Sequence, residues 1–232
     1  MKYKFSLHFV LTIWYFLLAS IEIISELFSF TFFSLITRIL IPVSLAALYW
    51  SITKRHNLLF YLIVLLLLIT MVLFFFKNSV LFFYGVIAFI LLRGVSLLLV
   101  IKATKEINYL HIVVASFPFL VVFFYLISVT NEITEIEFNT LIIQSLLISI
   151  LAGISITNYF KHENRQHSWL LISTLLFIGL RFFVFIERFV VSDLSLVINR
   201  PIEIALSTFA FFTFFKYVIA SEVASTANSI IR

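Results

Sequence analysis

The chain has 232 residues, 63% of them hydrophobic and only 12% charged, with a mean hydropathy of +1.18. Water-soluble domains carry about 25% charged residues, so this composition excludes a soluble globule and indicates an integral membrane protein. The net charge of +5 is scattered over short polar breaks and forms no basic patch, which argues against a nucleic-acid partner.

Breaking the chain at those polar clusters predicts eight spans, at 5–25, 29–51, 58–76, 80–101, 109–130, 140–160, 169–191 and 201–221. Each is near the ~20 residues a helix needs to cross a hydrocarbon core. The first follows Lys2 and Lys4 and passes Leu18-Ala19-Ser20, which resembles a signal peptide. It is long for such a segment and contains His8 and Trp14, so a retained helix is the expectation. The second span holds Arg38 and Pro42 and ends on Tyr49 and Trp50, an expected interfacial aromatic pair. The fourth holds Arg93, the fifth Pro118, and the seventh Arg181, Glu187 and Arg188. Pro201 is expected to open the eighth, where its missing N–H is harmless. The connections are too short for a soluble domain, so residues 1–232 form a single transmembrane domain, an all-α eight-helix bundle. With 30 Phe, four Gly and no two glycines four apart, its helices are expected to pack through bulky side chains.

The breaks alternate in charge. Lys2, Lys4, Lys54, Arg55, Lys102, Lys105, Lys161, Arg165 and Arg232 fall on one side, against Lys77 and Arg200 with Glu132, Glu135, Glu137 and Asp193 on the other. The positive-inside rule then places both termini in the cytoplasm, in agreement with an even number of spans. A bias towards Ile, Phe, Lys and Asn suits a bacterial inner membrane.

Arg38, Arg93 and Arg181 lie near the middle of their spans, where a charge costs roughly 2.5–3.5 kcal/mol on insertion scales. Such residues face a bundle interior. Glu22, Glu26, Glu187, Arg188 and Glu203 fall in the outer half, and an Arg188–Glu203 pair is expected across the last connection. These charges form either a purely structural network or an anion site, because guanidinium suits bidentate contacts to phosphate and carboxylate. The central zone has no carboxylate of matching depth, which favours an anionic lipid or amphiphile bound by Arg38, Arg93 and Arg181 with Glu187 and Glu203 nearby. Long arginine side chains nevertheless have the reach to climb towards the outer acids.

Other chemistries find little support. With no Cys, disulfides and thiolate nucleophiles are excluded. His162 and His167 sit in a polar loop with poor metal-ligand spacing, and no G-x-S-x-G is present. Lys216, in the last span, lacks a carboxylate one turn earlier, where Phe212 stands, so a snorkelling lysine fits better than a retinal Schiff base. Nothing calls for a cofactor or a metal, and no catalytic residue can be assigned.

Thr37-Arg38-Ile39-Leu40, Tyr84 to Phe89, Phe117-Pro118-Phe119 and Leu175 to Phe189 together resemble the lysoplasmalogenase-like YhhN family of eight-span membrane proteins. The resemblance implies a lysolipid-binding pocket, and enzymes of the family cleave a vinyl-ether bond. Where the family has a His this chain has Arg93, and the family's Ser-Asp-Ser acid falls at Arg181. Hydrolysis needs groups that donate and accept protons, which permanently protonated arginine does not supply. The expectation is therefore a pocket without the family's catalytic groups. The alternatives are a lysolipid hydrolase acting through unassigned groups, and a structural subunit whose arginines meet a membrane-protein partner's acids.

Overall fold

The computed structural model describes residues 7–53, 56–76, 78–104, 107–129, 135–189 and 196–230, with backbone only at 135–136, 186–189, 196–198 and 225–230. All regular structure among them is helical: α1 (Leu7–Leu27), α2 (Thr31–Ile52), α3 (Leu58–Phe75), α4 (Ser79–Ala103), α5 (Tyr109–Val129), α6 (Glu135–Lys161), α7 (Arg165–Phe189) and α8 (Leu196–Ile230). Each is long and apolar enough to cross a membrane.

Asparagine starts several of these helices. Asn57 and Asn78 accept backbone N–H bonds from the first turns of α3 and α4, satisfying donors that helix geometry leaves open. Between α1 and α2 the chain reverses in three residues. Ser29 adopts the left-handed conformation (φ 57°) and Phe30 N–H bonds back to the Ser25 carbonyl at 2.8 Å, a Schellman-type close. This turn brings the end of α1 against the start of α2.

Four boundaries differ from expectation by four residues or more: α7 begins at Arg165 rather than 169, α8 runs on to Ile230 rather than 221, and two further starts move. Helix α8 begins at Leu196, so Pro201 lies inside it, where it forfeits one backbone hydrogen bond while the helix continues. Helix α6 begins at Glu135 rather than 140, taking Glu135 and Glu137 into its first turn, where carboxylates favour the positive end of the helix dipole. Helices α2 and α5 run through Pro42 and Pro118.

The packing closes a ring in the order α1, α2, α3, α4, α6, α7, α8 and back to α1, with α2 also touching α8. Helix α5 lies outside this ring against α6. There Gly153 is essential to the approach: a Cβ would stand 2.1 Å from Ser116 Oγ and 2.5 Å from the Ile112 carbonyl. Near its far end α5 also stacks Phe123 on Phe182 of α7, with ring centroids 5.1 Å apart. Only Ser116, Phe123 and Ile127 of α5 are buried. The core is aliphatic and aromatic, with Tyr15, Tyr49, Phe60, Phe177, Phe214, Phe215 and Tyr217 all fully enclosed. The α1–α2, α3–α4, α5–α6 and α7–α8 connections share the end that carries the loop acids. The other three share the basic end.

Candidate functional site

The three arginines do not form one site. Arg38 lies about 10 Å along α2, a helix about 33 Å long, so it is nearer the acidic end than its span's midpoint suggested. Its guanidinium Nη2 bonds Glu26 Oε1 of α1, and its Nε lies 3.2 Å from Glu22 Oε1. Ser34 Oγ donates to the same Glu26 oxygen at 2.8 Å, and Phe75 of α3 lies 5.4 Å from the Arg38 Cζ. The expectation that no carboxylate matches its depth is corrected here. Across a three-residue turn, acids near the end of α1 face the start of α2, and the arginine side chain climbs to meet them. The signal was present in the sequence: Glu22 and Glu26 share one helix face four residues apart, mirrored by Arg38.

Arg93 and Arg181 have a different environment. Helices α4 and α7 are not close-packed neighbours, and the Arg93 side chain bridges the space between them. Its Cζ lies 3.8 Å from the ring centroid of Phe177 on α7 and 4.9 Å from that of Phe89 on α4. Both are cation–π distances. Arg181 follows Phe177 by one turn and stands close enough to Arg93 to repel it. No carboxylate among the described residues acts on either arginine. Arg93 is 7% exposed, and its buried Nη1 has no hydrogen-bond partner among the described residues.

Ser149 adds a second unsatisfied group. It lies on α6, which packs against both α4 and α7, and its fully buried hydroxyl has no partner among the described residues. Arg93, Phe177 and Ser149 stand about 15, 18 and 18 Å from the basic ends of their helices, so they share one level. The sequence reading passed over Ser149, because a lone serine in an apolar helix carries no signal until its neighbours are known.

The remaining expectations fall elsewhere. The side chains of Glu187 and Arg188, and with them the Arg188–Glu203 pair, lie outside the described residues. Glu203 is half-buried on α8 and has interactions of its own. Lys216 places its Nζ 5.2 and 5.8 Å from the rings of Phe212 and Phe215. Tyr49 is not an interfacial aromatic. It is fully buried, its hydroxyl donates to Glu222 of α8 and accepts the Asn57 N–H at 2.9 Å. Trp50 alone faces outward, 65% exposed and stacked on His56 with centroids 4.4 Å apart. His56 is held there and by Tyr61, whose hydroxyl is 3.2 Å from its Nδ1. Two surface concavities, one beside Ile107, Asn108 and Lys161 and one on the outer face of α1, are lined by none of the three arginines.

No protein-family model, curated protein or solved structure matches this chain.

Proposed function

We propose that this multi-pass membrane protein binds an anionic lipid or amphiphile, whose phosphate or carboxylate sits between Arg93 and Arg181. The observation that carries this reading is the buried Arg93, with Nη1 unbonded and Arg181 near enough to repel it, on which no described acid acts. Like charges in a low-dielectric setting repel strongly, and an anion converts that repulsion into two charge-assisted contacts. Ser149 supplies a further donor at the same level.

The reading also draws on the sequence resemblance to the YhhN family. Arg93 and Arg181 are the positions where that family carries its His and its acid, and residues far apart in sequence lie together in space. With arginine at both, lysoplasmalogen hydrolysis is expected to be absent or marginal. A turnover of about 1 s⁻¹ or more by purified protein would place proton-transfer groups elsewhere and defeat the reading. The basic end is taken as cytoplasmic, in a bacterial inner membrane, on the charge asymmetry of the loops. Single-cysteine labelling at Asn131 and Asn164 must report opposite sides.

Native mass spectrometry of mildly solubilised protein tests the ligand. Wild type is expected to carry an anionic lipid or lysolipid that Arg93→Met and Arg181→Met each lose, while Ser34→Ala keeps it. Equal adducts on all four proteins would end the proposal, and a stoichiometric protein partner in place of lipid would favour a structural subunit.

A further inference from the structure

Glu22, Glu26 and Arg38 make a second buried site with the opposite imbalance: two carboxylates share one cation. They are not equivalent. Glu26 Oε1 accepts from both Arg38 Nη2 and Ser34 Oγ, the pattern of an ionised carboxylate. Glu22 is 2% exposed, its Oε2 is buried and has no partner among the described residues, and its Oε1 lies near Arg38 Nε but out of hydrogen-bond alignment. An ionised carboxylate with one oxygen dry and unbonded is costly inside a protein. A neutral carboxylic acid there costs far less.

We propose that this trio is a proton-binding site, holding one proton on Glu22 while Glu26 stays ionised and paired with Arg38. Uptake forms one O–H bond on the Glu22 carboxylate from a proton supplied by water, and leaves the trio electrically neutral within the span. Two carboxylates sharing a site do not both ionise readily, and the single arginine is already engaged by Glu26.

Among the described residues no other charge does this. Helix α1 packs against α2 and α8. From α2 the only charged group acting on Glu22 is Arg38, and from α1 itself Glu26. Tyr15, two turns away on α1, also feels Glu22, but its hydroxyl donates to the Thr208 carbonyl of α8 at 3.0 Å. Glu203 of α8 lies about 140° around that helix from Thr208 and does not act on Glu22. Phe75 covers the arginine from α3.

The count of protons follows from the count of charges, and infrared spectroscopy of the full-length protein in lipid nanodiscs reads it. At neutral pH the wild-type-minus-Glu22→Gln difference spectrum is expected to contain a carboxylic-acid C=O stretch that shifts in D₂O. Glu26→Gln should lose the same band, because Glu22 then becomes the arginine's only counterion and ionises. Arg38→Gln should gain a second one. Should Arg38→Gln not fold, the two conservative glutamine variants carry the test alone. A carboxylate band in the wild-type-minus-Glu22→Gln spectrum would overturn the proposal. So would an acid band that disappears when NaCl replaces choline chloride at fixed pH, since the ligand would then be a metal cation.

Discussion

Arg38 and Arg93 occupy comparably apolar helices and stand for the same cost of burial, yet the chain treats them differently. At Arg38 it supplies two acids and a hydroxyl from the adjoining turn, more carboxyl groups than the one cation needs. At Arg93 it supplies two phenylalanine faces and a second arginine. A buried cation with its own counterions acts as a structural tie. One held by aromatic faces, with a donor left over, lacks such a tie, and the proposed anion would supply it.

The largest expected effect comes from Arg38→Met. It leaves the ionised, half-buried Glu26 without its cation beside the buried Glu22, and removing one partner of a buried pair costs up to about 3–5 kcal/mol. Reversible unfolding in mixed micelles should show that loss at neutral pH. The loss should shrink as the pH falls, because protonating the acids removes the unpaired charges. Arg93→Met should behave in the opposite sense. Removing one of two repelling cations is expected to change stability by less than about 1 kcal/mol, with the effect appearing in lipid retention instead. Equal destabilisation by the two substitutions would erase the distinction between the sites.

Smaller changes sharpen it. Glu26→Gln is expected to cost about 1–2 kcal/mol, less than Arg38→Met because Glu22 remains to take over the arginine. Ser34→Ala removes one hydroxyl donor from an oxygen that keeps its arginine, and should cost about 1 kcal/mol. Neither should alter the lipid adduct. A change in bound lipid with either would mean the two sites communicate through the bundle.

Most of the architecture was legible before any coordinates. Eight apolar stretches of bilayer length separated by short polar breaks admit few arrangements, since a backbone inside hydrocarbon must satisfy its own hydrogen bonds and only helices do so locally. The boundaries at Leu196 and Glu135 moved because a helix continues through polar residues and a single proline wherever neither burial nor sterics forbids it. The identity of the residues that carry charge into the membrane was equally plain, because a charged residue in an apolar run is conspicuous whatever it touches.

What the chain by itself could not disclose was which charges meet. Local turn geometry came closest: Glu22, Glu26 and Arg38 flank one tight reversal, and their spacing already implied a shared face. Arg93, Phe177 and Arg181 belong to helices separated by two others in sequence, and Ser149 to a third, so their meeting depends on α5 standing outside the ring and letting α4 reach α6. Tyr49 and Glu222 met across the bundle in the same way. Composition and periodicity report the interaction of each helix with its solvent, a property of single segments. Partnership between helices depends on rotation and order around the ring, which in a bilayer follows from side-chain packing and interhelical polar contacts summed over the whole bundle.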